Sequence, residues 1–344
     1  MATTIKDIAR RTGVSHSTVS RALRNDPLIS VATTRRIQQV AREMAYLPSA
    51  AARSLKTNRS LVLGVIVSSI DDPFFSEIVF GIESCAQEAG YSLFIAASQH
   101  DPSRVEKIIQ TMMEQRTDGV IICSSSLNSN QNRQLLEYGF PIVVVNHQAA
   151  ENFHYSIYHD DVDGSRQVTR HLVELGHTRI AYLGNSLSGR TTLDRLTGYQ
   201  AEMMEHHLQI LEGYIHHVPG SNPALGVDGA MHFLALPKPP TAIVCFNDML
   251  AIGVLQGCQQ AGIQVPQQMS ITGFDNITFS AYTNPPLTTL DQPKRSIGAE
   301  AARLLLTLLN SNQENPSFQP QQITLKGNLL VRQSTAQLTN REKK

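Results

Sequence analysis

Short apolar runs alternate with helix-like segments over most of this chain, and no other feature of the sequence restricts the fold as much. The first run, LVLGVIV from Leu61, is apolar throughout, as expected of a strand buried on both faces of a parallel sheet. Helix-like and strand-like segments then alternate as far as SITGFD, which ends at Asp275. Because such alternation favours parallel sheets with right-handed crossovers, we predict an α/β fold with two doubly wound parallel-sheet lobes.

The sequence contains none of the motifs that mark common enzymes and cofactor sites. No GxGxxG or P-loop follows the first strand, and neither GxSxG nor HExxH occurs. The four cysteines are far apart and form no CxxC pair, so buried free thiols are favoured over a metal site or a disulfide. We therefore expect no enzymatic activity, no cofactor and no bound metal.

Positive charge is concentrated in the first 60 residues. This segment contains eleven Lys and Arg residues against three acidic residues, a net charge of +8, while the rest of the chain carries −8. A small basic segment attached to an acidic body is the charge distribution of a protein that binds a polyanion.

The basic segment has the pattern of a helix-turn-helix, in which two short amphipathic helices are separated by a break that contains glycine. The first helix is predicted from Ile5 to about Thr12 and the second from about His16 to Arg24. A third helix is expected after a Ser30 cap. The opening helices are thus predicted to form an all-α DNA-binding head in front of the two lobes.

The second helix is rich in polar residues for a reason. In a helix-turn-helix this helix enters the DNA major groove with its N-terminal residues against the base edges. We therefore predict that His16, Ser17 and Arg21 read bases, since arginine bonds two acceptors of guanine together. Thr18 and Ser20 are suited to phosphates, which provide affinity without sequence information.

The segment TIKDIARRTGVSHSTVSRALRN closely resembles the DNA-binding head of the LacI/GalR family of bacterial transcription regulators. The likeness continues through TTRRIQQVAREMAYLPSAAARSLKTNRS. In that family the stretch after the third helix is a hinge helix that orders on operator DNA and inserts a leucine into the minor groove. The resemblance implies that Leu55 is this leucine, with Ala52, Arg53 and Lys56 beside it at the DNA. An apolar wedge of this kind unstacks a base step and kinks the duplex.

From Leu61 onward the chain is similar to the sensor module of the same family, a two-lobed fold related to periplasmic sugar-binding proteins. The segments DDPFFSEIVFGIE, FNDMLAIGVL and PQQMSITGFDN carry much of this resemblance. In the sugar-binding relatives, aromatic side chains contact the sugar ring, and Arg, Asn and Asp bond its hydroxyl groups. The residues at matching positions are Phe74, Phe75, Arg195, Asn247 and Asp275.

Residues that follow strands are the natural candidates for a ligand site, because ligands in such sheets bind at the carboxyl ends of the strands. For Asp248 we favour the role of helix N-cap over a ligand contact, and Phe74 and Phe75 have packing at the lobe interface as an alternative. The complete set of predicted effector contacts is Asp71, Phe74, Phe75, Asn146, His147, Arg195, Asn247, Asp248, Asp275 and Gln292.

The predicted domain organisation follows from these segments. Residues 1–47 form the helix-turn-helix domain, 48–60 the hinge helix and linker, 61–335 the ligand-binding and dimerisation domain, and 336–344 a polar tail. Within the large domain, the first lobe is expected to span about 61–160 and about 291–320, and the second about 161–290 and about 321–335.

The leading hypothesis is a dimeric repressor of carbohydrate utilisation genes that binds a palindromic operator and senses a sugar-like metabolite between its lobes. Alternatives are the same fold with a nucleoside or purine corepressor, a sugar-binding protein without a DNA role, and an architectural DNA protein without a ligand. An enzyme that uses Asp275, Asp248 and His147 is a further alternative, although carboxylates near a cleft are weak support for catalysis.

The sequence also predicts where the protein works and how it assembles. No apolar run reaches ~18 residues and no apolar signal segment precedes the basic head, so a cytoplasmic protein with no membrane partner is expected. The segment QSTAQLTNREKK lacks leucine heptads, which argues mildly against a tetramerising coiled coil and leaves a homodimer as the expected assembly.

Overall fold

The computed structural model describes residues 3–46, 59–123, 139–146, 155–311 and 321–338. The chain divides into two compact units, Met1–Ser60 and Leu61–Lys344. Each unit is described separately.

The first unit contains three helices, α1 (Ile5–Thr12), α2 (His16–Ala22) and α3 (Val31–Glu43). The predicted helices are confirmed, except that α2 ends two residues before the predicted end at Arg24.

Short-range contacts define the ends of these helices, and a small core holds them together. The side chain of Ser15 accepts a hydrogen bond from the Thr18 amide, and that of Ser30 accepts one from the Thr33 amide. Gly13 terminates α1 with a φ of 70°, a left-handed conformation that favours glycine. The fully or nearly fully buried apolar residues of this unit are Ile8, Val19, Ala22, Ile37 and Ala41.

The second unit is built around two six-stranded sheets. The first sheet has the order β11-β5-β4-β3-β1-β2 and all its described pairings are parallel. Its strands are β1 (Val62–Val67), β2 (Ser92–Ala97), β3 (Gly119–Cys123), β4 (Ile142–Val145), β5 (Tyr155–His159) and β11 (Gln321–Leu325). The described helices of this lobe are α4 (Pro73–Glu88), α5 (Pro102–Glu114) and α10 (Lys294–Asn310).

The second sheet has the order β12-β10-β9-β8-β6-β7. Its strands are β6 (Ile180–Asn185), β7 (Ile215–Val218), β8 (Ala242–Cys245), β9 (Ser270–Asp275), β10 (Thr288–Asp291) and β12 (Asn328–Leu330). The helices of this lobe are α6 (Asp161–Glu174), α7 (Gly189–Glu205), α8 (Pro223–Leu234) and α9 (Asp248–Gln260), with a short 3-10 helix at Thr278–Ala281. The predicted two-lobed α/β fold is confirmed, although the edge strand β12 runs antiparallel to β10.

The chain passes between the two sheets three times, at about residues 159–161, 291–294 and 325–328. The third crossover differs from the predicted division, which assigned residues from 321 onward to the second lobe. Strand β11 instead pairs in parallel with β5 at the edge of the first sheet, so the chain leaves the first lobe only after Leu325. The apolar side chains of Ile323 and Leu325 pack against the core of the first lobe, which holds β11 there.

Three of the four cysteines, Cys123, Cys245 and Cys258, are buried, Cys85 is half-buried, and all four are free thiols. Burial raises the pKa of Cys258 to about 11 and that of Cys123 to about 12, so these thiols remain protonated and unreactive. Within the described part of the chain, no helix has the length and apolar character needed to cross a membrane.

Helices α8 and α9 approach each other closely because both present glycine at the contact. A Cβ atom added at Gly253 would lie 1.9 Å from the Pro223 carbonyl oxygen and 2.8 Å from Gly226 Cα. Since both neighbours are backbone atoms, no side-chain rotation would relieve the overlap. Helix α9 begins just after β8, where Phe246 and Asn247 line a pocket, so this contact also helps to position these two residues.

We expect Gly253→Ala to lower the free energy of unfolding by about 1–3 kcal/mol, because the two helices must separate to accept the methyl group. Urea denaturation would measure the change. The exposed Gln256→Ala substitution on the same helix is the control and should change stability by less than about 0.5 kcal/mol. Equal stability of wild type and Gly253→Ala would contradict the close packing.

Candidate functional site

The polar residues predicted to contact DNA lie on the accessible surface of α2. His16, Ser17 and Arg21 are exposed, and the Arg21 Nε atom lies 3.8 Å from Asp26 Oδ2. An exposed pair at this distance is weak, so the guanidinium is available to a nucleic acid. These three side chains have the exposure that base reading requires.

Thr18 and Ser20 are half-buried and bonded within the head. The Thr18 hydroxyl lies 2.9 Å from the Ser15 hydroxyl, and Ser20 Oγ accepts a hydrogen bond from the Arg24 side chain at 3.2 Å. Their predicted phosphate contacts remain predictions. The predicted hinge contacts Ala52, Arg53, Leu55 and Lys56 lie outside the described residues.

A polar pocket lies in the second unit, between the carboxyl ends of the strands of both sheets. From the first lobe it is lined by residues that follow β1, β2 and β4, and from the second lobe by residues that follow β6, β7, β8 and β9. The described lining residues are Ser68, Asp72, Phe74, Phe75, His100, Asn146, Asn185, Leu187, Ser188, Thr191, Arg195, Ser221, Phe246, Asn247 and Asp275.

Six of the predicted effector contacts line this pocket: Phe74, Phe75, Asn146, Arg195, Asn247 and Asp275. The predicted residues Asp71, Asp248 and Gln292 do not line it, and His147 lies outside the described residues. Nine of the described lining residues were not predicted from the sequence, among them Asp72, His100, Ser221 and Phe246. Each of these four follows a strand, so the same rule that selected the others would have found them.

Arg195 on α7 is almost completely buried and is held from several sides. Its Nε atom donates to Asp161 Oδ1 at 3.0 Å, and its Nη1 atom donates to the Phe246 carbonyl at 2.5 Å. The guanidinium carbon also lies 3.7 Å from the centroid of the Phe274 ring and 4.5 Å from that of Phe246, as in a cation–π contact.

Asp275 is the acidic partner of Arg195 at the end of β9. The Arg195 Nη2 atom lies 3.5 Å from Asp275 Oδ1, and the Gln292 side-chain amide donates to the same oxygen at 2.6 Å. Burial raises the pKa of Asp275 well above its ordinary value, although the Arg195 charge opposes this. Asp275 also has a φ of 117°, a strained conformation for a residue with a side chain, and such strain is often found at functional sites.

Gln292 therefore positions Asp275 and does not line the described pocket, and its predicted contact with a ligand stays a prediction. Lys294, which was not predicted from the sequence, also holds the backbone at Asp275 and Asn276. Its ammonium group is buried and donates to the carbonyl oxygens of Asp275 and Asn276, the latter at 3.0 Å. Gln292 and Lys294 both belong to the second crossover. Because they lie far from Asp275 in the sequence, their contacts with it could not be predicted from the sequence.

Asp248 has a structural role: the prediction that it is the N-cap of α9 is wrong, and its predicted ligand contact stays a prediction, although it does not line the described pocket. It is fully buried, and its carboxylate accepts hydrogen bonds from the Ile277 amide at 2.8 Å and the Thr289 hydroxyl at 2.5 Å. The N-cap of α9 is the preceding residue, Asn247, whose side chain accepts from the Leu250 amide at 3.1 Å. Burial raises the pKa of Asp248 to about 7.

Asp71 also lies away from the pocket, where the Ser69 hydroxyl donates to its carboxylate. Its neighbour Asp72 is the residue that lines the pocket, because Asp72 is the N-cap of α4. Asp71 and Asp72 are chemically identical, so the sequence alone does not distinguish them. The position at which α4 begins determines which of the two faces the pocket.

Apolar rings and an unpaired amide complete the pocket. Phe74 and Phe75 meet edge to face with ring centroids 5.3 Å apart, and Phe246 contributes a third ring from the second lobe. Among the described residues, the buried Asn146 Oδ1 atom has no hydrogen-bond partner. A buried acceptor without a partner is costly unless a ligand or water bonds it, so this atom points to a ligand that carries a hydrogen-bond donor.

A helix-turn-helix unit followed by a bilobal unit with a polar pocket between its lobes defines a ligand-responsive DNA-binding regulator. The family model described as "Bacterial regulatory proteins, lacI family" matches residues 4–49. The model described as "Periplasmic binding protein-like domain" matches residues 169–335. The ribose operon repressor of Escherichia coli (strain K12) is 34% identical over 96% of this chain and 99% of its own length. The transcriptional repressor PurR of Actinobacillus pleuropneumoniae serotype 3 is 32% identical over 97% of this chain and 99% of its own length.

Solved structures agree with this assignment. The lac repressor dimer bound to operator and the anti-inducer ONPF superposes with a TM-score of 0.87 at 26% identity, and covers 98% of this chain and 100% of that one. A LacI family transcriptional regulator from Enterococcus faecium with bound ribose superposes with a TM-score of 0.70 at 26% identity, over 81% of this chain and 100% of that one. The chain belongs to the lacI family of bacterial regulatory proteins. It is a DNA-binding transcriptional repressor and not an enzyme.

The raised pKa of Asp248 makes stability depend on pH. The folded-state pKa of about 7 lies above the ordinary value of 3.8, so the folded chain retains this proton longer than the unfolded chain. The stabilisation by this group is therefore complete at low pH and is lost as the pH rises to about 7.

We expect the stability advantage of wild type over Asp248→Asn to fall between pH 5 and 7, by up to about 1.4 kcal/mol per pH unit, and then to level off. Urea denaturation of both proteins across this range provides the measurement. A difference that stays constant with pH would show that Asp248 is ionised throughout.

Proposed function

We propose that this repressor binds a palindromic operator as a homodimer and that a sugar-like metabolite, bound in the pocket between the lobes, controls its affinity for the operator. The observation that carries the proposal is the composition of the pocket. Aromatic rings from both lobes lie beside the Arg195–Asp275 pair and the amides of Asn146 and Asn247.

A sugar has weakly apolar ring faces and a rim of hydroxyl groups. The pocket contains both aromatic side chains that suit the ring faces and polar side chains that suit the hydroxyl groups. Phe74, Phe75 and Phe246 supply apolar contact area, while the carboxylates of Asp72 and Asp275 accept hydrogen bonds from hydroxyl groups. The likeness to the ribose operon repressor and to the ribose-bound regulator supports a small sugar, and hence control of carbohydrate utilisation genes.

A purine or nucleoside corepressor is the second candidate. It is favoured by the 32% identity to PurR over almost the whole chain. The same aromatic rings would stack on a base, and the amides would pair with its edge. The effect on operator affinity would distinguish a corepressor from an inducer, because a corepressor strengthens operator binding and an inducer weakens it.

The proposal places the protein in the cytoplasm, where a repressor has access to the bacterial chromosome. The basic N-terminal segment supports this, since the net charge of +8 over its first 60 residues suits the phosphate backbone.

The proposed DNA contact can be tested at one residue. We expect Arg21→Ala to reduce discrimination by about 1–3 kcal/mol at one base pair of the operator, because a bidentate contact to guanine is lost. Operators selected from random duplexes and then varied base by base would give the binding energies. The control is Arg10→Ala, an exposed arginine of α1, which should leave base preference unchanged. An unaltered preference in Arg21→Ala would count against the placement of α2 in the groove.

The effector proposal can be tested by adding D-ribose, other pentoses and hexoses, hypoxanthine and guanine to the full-length protein. We expect a sugar to raise the melting temperature and to change operator affinity. Asp275→Asn should weaken that binding at least about tenfold, which corresponds to about 1.4 kcal/mol, because the charge that faces Arg195 is removed. Operator affinity without ligand should be retained.

The matched control is Asp228→Asn, which removes an exposed carboxylate from α8. It should bind the sugar like wild type. If a purine alone produces these effects, the second candidate replaces the first. If no compound of either class binds, the effector proposal fails.

A further inference from the structure

The positive charge of Arg195 in the pocket is already paired with carboxylates. Among the described lining residues, the ionisable groups are Asp72, His100, Arg195 and Asp275. The Arg195 guanidinium donates to Asp161 at 3.0 Å behind the pocket and lies 3.5 Å from Asp275 within it. Its single positive charge is thus shared between two carboxylates, and the carboxylates outnumber it.

Asp72 adds a third carboxylate, and it belongs to the opposite lobe. As the N-cap of α4 it accepts a hydrogen bond from the Phe74 amide at 3.0 Å, which determines where the side chain lies. Burial is the main reason that its pKa is raised, and the Asp72 charge contributes to the raised pKa of Asp275 across the pocket. Asp72 and Asp275 therefore line the same pocket from opposite lobes.

This arrangement discriminates between ligands by charge. A hydroxyl or ammonium group placed between Asp72 and Asp275 donates to both and relieves their repulsion. A phosphate or carboxylate in the same place meets like charges in a partly dry site, and on the pocket side it can bond Arg195 only in competition with Asp275. Anion binding then requires uptake of a proton or loss of a buried ion pair.

We propose that Asp72 is a specificity-determining residue that excludes phosphorylated and carboxylated effectors and restricts the pocket to ligands without negative charge. This inference rests on the proposed effector-binding function and adds to it the charge class of the ligand.

The experiment compares matched pairs of compounds that differ by one phosphate. D-Ribose with D-ribose 5-phosphate, D-glucose with D-glucose 6-phosphate, and adenosine with adenosine 5′-phosphate are titrated into the full-length protein by calorimetry. In wild type we expect the uncharged member of any pair that binds to bind at least about tenfold tighter. Asp72→Asn should reduce this ratio at least about threefold, mainly by improving the affinity for the phosphorylated member.

Two variants separate the charge of Asp72 from its role in starting α4. Both Asn and Ser are good N-cap residues, so Asp72→Asn and Asp72→Ser keep the helix start and remove the charge. Both should shift the ratio in the same direction, whereas Asp72→Glu should retain the wild-type preference. The control is Asp71→Asn, which removes the adjacent carboxylate outside the pocket and should leave the ratio unchanged.

The possible results are distinct. A phosphorylated compound that binds wild type as tightly as its uncharged partner overturns the charge restriction while supporting the effector function. An unchanged ratio in Asp72→Asn and Asp72→Ser, or an equal shift in Asp71→Asn, overturns the assignment to Asp72. Failure of every compound in all three pairs, with no stabilisation in the wider screen, overturns the effector function and this inference with it.

Discussion

The buried guanidinium of Arg195 is the interaction on which the organisation of the large unit depends. A charge that leaves water is costly unless its donors are bonded, and here Asp161, the Phe246 carbonyl and Asp275 surround it. The face of the Phe274 ring, 3.7 Å from the guanidinium carbon, shields the group from water. The strands and helices that carry these partners must therefore meet at one point, and that point is the wall of the pocket.

The same network joins the pocket to the segments that connect the lobes. Asp161 begins α6 immediately after the first crossover, and its pKa is lowered because Arg195 and His159 together more than offset its burial. Gln292 and Lys294 belong to the second crossover, and both bond Asp275. A ligand that bonds Asp275 or Arg195 thus acts on groups held by two of the three connections. Any coupling between effector and operator that results must be reciprocal.

Much of the fold and six of the fifteen described lining residues of the pocket could be predicted from the sequence. The apolar runs determine which segments become buried parallel strands, and polar residues at the ends of those strands must then meet at one edge of each sheet. This reasoning selected Phe74, Asn146, Arg195, Asn247 and Asp275, which all line the pocket. The helices of the head could be predicted equally well, because their caps and the glycine break between them depend only on residues close together in the chain.

By itself, then, the sequence determined the basic head, the alternation of strands and helices and the candidate residues at strand ends, since each depends on neighbours along the chain. The tertiary structure alone decided which of the neighbours Asp71 and Asp72 lines the pocket, and that Asn247 rather than Asp248 caps α9. It also decided that β11 pairs with β5 and that Gln292 supports Asp275. The physical reason for the last two outcomes is that they depend on contacts between segments far apart in the chain. At the two helix starts, both neighbouring residues are good N-cap residues, so their composition does not decide which one begins the helix.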